Sequence, residues 1–359
     1  MAIFTGQLRS NEIFSALYNM IISQEVFADN LGEHQTLVDK ARVDGGLYGD
    51  TKLYYSTDVL KSVPWGDDAE AANLLALHRP EAPECQAIHL DIFRQICLTV
   101  DNYLSKRAWA TEGAFSSFNS VMLGWMKDTK RVYDGTLYNV FIGTTKATGA
   151  GQTVKVDLSG ATSLTGVEKE QMEGMLIAQK LADLMVAMGD YSRDFNDYGN
   201  LRSYAKDGIK VIWNSKFVNK IRKVDLPTIF HKDGLVEKFE EEILPERYFG
   251  DIQTEGHTSV AGERSIVEKD YTVSNKTTHV FPGDLIPVCA TVAANESYKA
   301  PAKDVICKVL VKLPPYMSAF EVGTSFFNAK SLTENHYLTF GHNTIEYLKN
   351  YPFITVQVK

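Results

Sequence analysis

Residues 88–100 read IHLDIFRQICLTV, and in this stretch Ile88, Leu90, Ile92, Ile96, Leu98 and Val100 fall on one side of a period of two, interrupted only by Arg94. Alternation of this kind predicts a β-strand, because successive side chains of an extended chain point to opposite faces. At about 3.3 Å per residue the strand extends roughly 40 Å, about twice the usual length in a compact domain. A strand that long projects from its own core. Arg94, the one charged residue on the aliphatic face, becomes a candidate contact with another subunit.

The neighbouring segments fit a projecting ribbon. Residues 47–59, rich in Tyr and Thr, form a second extended stretch, and residues 62–84 between the two are polar and carry Pro80 and Pro83. Gly45, Gly46 and Gly49 at the base are a candidate hinge, a plain turn being the other reading. Trp65, Asp67 and Asp68 near the tip are further candidate contacts, since charged, Pro-bearing tips keep exposed strands from pairing indiscriminately. Past Asp101, Phe115, Phe118, Met122, Trp125, Met126, Val132, Tyr133, Leu137, Tyr138 and Phe141 recur at three and four, predicting a long helix. Gly124 and Gly135 predict a kink or break in it, each costing about 1 kcal/mol relative to Ala. Upstream, residues 11–31 carry Ile13, Phe14, Leu17, Tyr18, Ile21, Ile22 and Phe27 at helical spacing. This is an amphipathic arm, and Phe14 and Tyr18 are candidate contacts on it.

The rest of the chain mixes helix and strand in blocks. A Gly/Thr/Ser-rich loop (143–165) includes a short strand at 154–158, and a helix follows at 167–188 whose methionines read as core rather than as an adaptable binding surface. Next come a strand at 209–213, Asn214 as N-cap of a helix reaching residue 224, and an acidic helical turn at 237–243. Strands are expected within 264–273, 279–291, 305–313 and 353–358. The fold class is α+β, and the absence of strict βαβ alternation argues against a doubly wound nucleotide-binding fold.

Composition narrows the function. Of 359 residues 44% are hydrophobic, which suits a globular core, and a net charge of −8 gives no general affinity for nucleic acid or an anionic membrane. Cys85, Cys97, Cys289 and Cys307 lie far apart and read as reduced thiols of a protein made in cytoplasm. The first nine residues lack the features of a signal peptide, and no run of about 18 apolar residues occurs. The histidines form no zinc motif. His89 and Asp91 alone are too few for a metal, and His257, His336 and His342 read as exposed or locally bonded. The Gly-rich stretch 143–151 lacks a following Gly-Lys-Ser/Thr, and Gly-x-Ser-x-Gly is absent. Asp67/Asp68, Glu241/Glu242 and Asp194/Asp197 read as surface carboxylates, and Lys216, Lys220, Arg222 and Lys223 as a solvated helix face. No catalytic, cofactor or metal residues are assigned.

The order of arm, long ribbon, long helix, mixed central region and terminal strands resembles that of tailed-phage major capsid proteins with the Hong Kong 97 fold. Within that group the chain is most similar to capsid proteins of short-tailed phages of the phi-29 group. The residues that carry this are Trp109, Glu112, Gly113, Ala114, Phe115 and Phe118 after the ribbon, then Ser192, Arg193, Asp194, Phe195 and Asn196, then Arg202, Ser203 and Tyr204 before the strand at 209–213. The resemblance implies an N-terminal arm (1–44), an E-loop ribbon (45–100), a P-domain with its spine helix (101–190), an A-domain (191–304) and a return to the P-domain (305–359). It implies hexamers and pentamers that close into an icosahedral shell around double-stranded DNA, without sequence-specific binding and without a membrane. No long scaffolding segment precedes the arm, so a separate scaffolding protein and a portal are the implied partners, with synthesis and assembly in the host cytoplasm and the virion capsid as destination. An encapsulin-like compartment shares the same architecture, another virion component such as a tail or minor head protein is a further reading, and an acidic α+β hydrolase is the alternative from a different class.

Overall fold

The alternation at 88–100 is realised in a strand of 18 residues, Glu84–Asp101, in the computed structural model of the protein. The structure describes residues 37–45, 51–62, 77, 79–101, 112–149, 151–222, 240–301 and 304–359. The expected arm helix with Phe14 and Tyr18, the ribbon tip with Trp65, Asp67 and Asp68, and Gly46, Gly49 and Trp109 lie outside these residues.

In chain order the elements are α1 (Leu37–Ala41), β1 (Arg42–Asp44), β2 (Thr51–Ser56), β3 (Glu84–Asp101), α2 (Glu112–Thr144), β4 (Thr153–Val156), α3 (Gly166–Gly189), β5 (Lys210–Asn214), α4 (Ser215–Arg222) and β6 (Glu240–Leu244). Short strands follow: β7 (Gly250–Gln253), β8 (His257–Thr258), β9 (Arg264–Ser265), β10 (Lys269–Val273), β11 (Lys276–Val280), β12 (Thr291–Val292) and β13 (Tyr298–Pro301). The chain closes with β14 (Val305–Leu310), β15 (Tyr316–Asn328), β16 (Thr333–Asn343) and β17 (Phe353–Val358). No helix among the described residues is long and apolar enough to cross a membrane.

Two compact units divide the chain. The first takes its described residues from Met1–Gly49, Leu90–Gly135 and Met317–Asn343. Here the sequence expectation of a simple two-stranded ribbon needs correction. From Leu90 onward β3 pairs with β16, antiparallel from Leu90↔Asn343 to Asp101↔Thr333, and β16 pairs with β15, which borders β1. The aliphatic face of β3 therefore finds cover within its own chain: Leu90 and Val100 are buried, while Phe93, Gln95, Cys97 and Thr99 on the opposite face stay exposed.

Helix α2 runs unbroken for 33 residues, about 50 Å at 1.5 Å per residue. The helix is not broken at Gly124 or Gly135, because a glycine only lowers helix propensity and does not remove a backbone hydrogen bond. Met126, Lys130, Tyr133 and Asp134 form its buried side in this unit. Tyr133 meets Phe340 edge-on at 5.8 Å, and buried Asp134 is paired with Lys130 (3.2 Å) and Arg42 (3.5 Å).

His342 is locally bonded, one of the two states expected of it, but it is a buried strand residue instead of part of a polar loop. Its Nδ1 lies 2.9 Å from Asn343 O and its Nε2 3.0 Å from Tyr133 Oη. A carbonyl only accepts, so Nδ1 carries the proton and Nε2 accepts from the tyrosine hydroxyl, which fixes the neutral tautomer. Burial lowers its pKa below the usual 6.5. The unfolded chain then binds a proton that the folded chain refuses, so this contribution to stability is complete above about pH 6.5 and is lost as pH falls below it. His257 and His279, raised by hydrogen bonds to Glu263 and to Asp270, work in the opposite sense: their contribution is present below that pH and lost on the alkaline side. The expected result is that the difference in melting temperature between wild type and His342→Gln changes between pH 7 and pH 5, wild type losing more. A difference that does not vary with pH would refute the assignment.

The second unit comprises Asp50–His89, Thr136–Tyr316 and Thr344–Lys359. Its sheet has the order β4-β17-β14-β5-β6, with β14 antiparallel to both neighbours and the outer pairs parallel. Strand β14 is buried at every position, as a central strand covered on both faces must be. Ile177, Leu181, Leu184, Met185 and Met188 of α3 pack on it together with Val211, Trp213, Phe217, Ile306, Val309, Ile354 and Val356. The methionines at 185 and 188 are core, as the sequence predicts. Asn214 caps α4 through Oδ1, which accepts from Lys216 N–H at 3.1 Å. This single core draws on α3, β5, β14 and β17. The acidic turn expected at 237–243 is corrected where it is described: Glu240–Leu244 is a strand, parallel to β5 at the sheet edge, where charged side chains reach solvent.

The segment 250–301 forms a small β region around Tyr271, Val280, Ile286, Ala290, Val292 and Tyr298. Its β10–β11 hairpin turns on Ser274 and Asn275, both at positive φ, which matches a two-residue turn to the twist of the strands.

Candidate functional site

Within the second unit, β2 pairs antiparallel with the first residues of β3, from Thr51↔His89 to Ser56↔Glu84. Both legs continue beyond this ladder, as 57–62 and 79–83, without strand pairing. Pro80 and Pro83 on the returning leg have no N–H to donate, which ends the ladder there. Lys61 and Glu81 bridge the legs at 2.8 Å, and both are exposed, so the pair contributes little.

The ribbon exposes several large apolar side chains beside its charged ones. Leu60 and Leu77 are 78% and 80% exposed, and Leu53, Tyr55 and Val59 each show half or more of their surface. A single exposed leucine is ordinary, whereas a group of large apolar side chains on two narrow legs marks an interaction surface.

The base of the ribbon is polar and tightly bonded. Asn200 Nδ2 donates to Ser56 Oγ at 2.7 Å, and Ser56 Oγ donates in turn to Asn350 Oδ1 at 2.7 Å. The Arg202 guanidinium donates to Thr57 O. Asp58 accepts from Leu201 N–H at 2.9 Å and from Arg193 Nη1 at 2.6 Å. These bonds hold the Asp58 carboxyl down at about 2, the Leu201 amide contributing most. The loop that supplies the donors is braced internally, since Asn196 and Asn200 exchange side-chain and main-chain bonds at 2.7 and 2.9 Å and Phe195 is buried in the core. Beside it Asp197 accepts from Gln152 Nε2 and Tyr347 Oη, each at 2.5 Å, and from Gly149 N–H at 3.1 Å.

Of the residues that sequence reasoning singled out, Gly45 donates its N–H to Ser318 O at 3.3 Å, and Arg94 places its guanidinium 4.8 Å from the centre of the Tyr133 ring. Arg193, Arg202 and their neighbours entered through resemblance and Asp194/Asp197 as surface carboxylates; the structure gives them their bonding partners, and Asp197 is half-buried and bonded rather than a free surface group. Ser56, Asp58, Leu60 and Leu77 were not singled out at all. The one available signal was the presence of large apolar residues in an otherwise polar segment. His89 Nδ1 lies 2.9 Å from Thr51 Oγ1 across the ladder. Among the described residues no group of three or more His, Cys, Asp and Glu is arranged to hold a metal ion.

No known family's sequence profile and no curated protein matches the chain. Solved structures do. The capsid structure of Staphylococcus phage Andhra aligns over 90% of this chain and 84% of its own, with a TM-score of 0.59 and 11% identity. A chain in the structure of head fiber and inner core protein gp22 of native bacteriophage P68 aligns over 92% and 87%, with a TM-score of 0.57 and 12% identity. At these identities the likeness is one of fold, and the mixed α+β architecture of this chain is one found in phage particles.

Proposed function

We propose that the chain is the major capsid protein of a tailed bacteriophage, a structural and non-catalytic subunit that assembles into the hexamers and pentamers of an icosahedral shell enclosing double-stranded DNA. The observation that carries this reading is the combination of a fold found in a phage capsid structure with a ribbon that exposes Leu53, Tyr55, Val59, Leu60 and Leu77. Repetition makes such a surface effective, because buried apolar area at about 25 cal/mol per Å² adds up over the several neighbours of each subunit.

The Hong Kong 97 architecture is the finer part of the proposal. In it the E-loop is the ribbon within 45–100 and the P-domain is built on the spine helix α2. The A-domain is proposed as 191–304, with 101–190 and the return at 305–359 in the P-domain. The 192–204 stretch supports the phi-29 group, and Trp65, Asp67, Asp68, Arg94, Phe14 and Tyr18 stay proposed as contacts between subunits. A scaffolding protein and a portal are the proposed partners, with assembly in the host cytoplasm.

Electron microscopy of the purified protein, with its scaffold co-expressed, is expected to reveal closed shells. Leu60→Asp combined with Leu77→Asp should leave the monomer folded and lower the yield of closed shells at least tenfold, since each charge must be stripped of water to enter an apolar contact. Shells in normal yield from that variant would remove the ribbon from the interface. Protein that stays monomeric with its scaffold would remove the capsid reading itself. Nuclease-resistant DNA inside native particles separates a capsid from a protein-storing compartment.

A further inference from the structure

A ribbon that grips a neighbour must bend somewhere, and glycines at its base are the obvious place to look. The bonding pattern puts the bend elsewhere. From Ser56 to Asp58 every residue of the outgoing leg is tied to the 193–202 loop, by the Asn200, Arg202, Arg193 and Leu201 bonds described above. On the return side, Gln86 donates through Nε2 to Tyr347 O at 3.0 Å and accepts through Oε1 from Lys349 N–H at 3.0 Å. Both legs are thus fastened to the body of the second unit, the return leg at Gln86, opposite Tyr54 inside the ladder, and the outgoing leg at 56–58, at and just beyond the ladder's end. Immediately outboard the ladder stops, two prolines remove donors, and among the described residues the legs are linked there by an exposed ion pair of little strength.

We propose that the loop 192–202 and Gln86 form a clasp that fixes the ribbon's base, and that the ribbon pivots just outboard of it, at 59–62 and 79–83, instead of at Gly45, Gly46 and Gly49. Asp58 and Arg193 are positioning residues in this arrangement. They set where the legs leave the body of the second unit. A charge-assisted, doubly bonded carboxylate suits this duty because it resists both displacement and mild acid. The inference rests on the ribbon's role in assembly, yet the clasp itself can be examined on unassembled protein.

Hydrogen exchange of the full chain, read by mass spectrometry, is the test. In wild type the amides of 52–56 and 85–89 should be protected, while those of 60–62, 79 and 81–82 exchange freely, with the step falling at the clasp. In Asp58→Asn and in Arg193→Gln, protection of 52–56 and 85–89 should fall about tenfold, as expected for loss of one charge-assisted hydrogen bond, with the amides of 177–188 unchanged. Arg193→Lys, which keeps the charge without the planar fork, should fall between wild type and Gln. Protection running past residue 62 would overturn the pivot. Unchanged protection at 52–56 in all three variants, or equal loss in the 177–188 helix, would overturn the clasp. Because no shell is needed, failure here is separate from failure of the capsid reading, which microscopy of the wild type decides.

Discussion

Replacing Gly143 by alanine should destabilise the protein by about 3 kcal/mol or more, whereas the same replacement at Gly124 should stabilise it by up to about 1 kcal/mol. Both glycines lie in helix α2, and helix propensity alone predicts a gain at each. Their surroundings differ. A Cβ on Gly124 would meet nothing within 4 Å, so only the propensity gain remains. A Cβ on Gly143 would lie 2.2 Å from Tyr248 O and 2.6 Å from Tyr248 C, which are backbone atoms of a buried residue and cannot rotate away. The helix end would have to withdraw from Tyr248, loosening Ile142 and Tyr138, both fully buried. Urea unfolding of the two variants beside wild type measures the effect. Shifts of the same sign would contradict the argument.

Lys308 should govern much of the stability change between neutral and mildly alkaline pH. It is wholly buried in the middle of β14, where Nζ donates to Thr145 O at 2.7 Å and to Thr355 Oγ1 at 2.8 Å. Burial brings its pKa down to about 7 from 10.5. Between those values the unfolded chain holds a proton that the folded chain does not, so stability from this group rises with pH, by up to about 1.4 kcal/mol per unit. Lys308→Met removes the ionisable group and nearly preserves its volume. The variant should therefore be more stable than wild type at pH 7, by about 2 kcal/mol once the two unmade hydrogen bonds are subtracted. Its advantage should shrink steadily toward pH 8.5. The comparison stops there because Cys307, whose buried thiol is raised far above its usual range, begins to act in the opposite direction above that pH. A difference between variant and wild type that is flat with pH would show that Lys308 keeps its ordinary ionisation.

How far the sequence discloses the fold can be judged from particular segments. Strand β3 and helix α3 were legible because each keeps one unbroken period over many residues, 2 in the first and 3.6 in the second. The β15–β16 hairpin was not. Strand β15 contains Gly323 and a register shift between Ala319 and Val322, so its alternation changes phase in the middle and no single pattern fits it. Strand β6 was read as helix because three consecutive glutamates resemble a solvated helical face, and only its place at the edge of the sheet makes them suitable for a strand. His342 sits in a Gly-His-Asn sequence that reads as a polar turn, and its burial follows from Tyr133, which is remote in sequence. The clasp had the same difficulty: the side chains of the 192–204 stretch could be picked out, but their partner Asp58 lies far away along the chain and carries no local mark.

The order of strands in the second unit also bears on how the chain comes to be folded. Thr153 in β4 pairs with Thr355 in β17, about two hundred residues away, and β14 supplies the middle of the sheet from the last sixth of the sequence. A ribosome releasing the chain from its N-terminus can complete helices α2 and α3 early, but the sheet on which α3 packs must wait for β14 and β17. Until then α3 can settle only on the part of its core already made, such as Phe195, Val211, Trp213 and Phe217, and the partly made chain is a natural client for a chaperone. The same delay protects assembly. Gln86 finds its partners at Tyr347 and Lys349, so the ribbon's base is set only after residue 349 has been made, and a shorter nascent chain does not present its legs in the fixed geometry a neighbour would recognise.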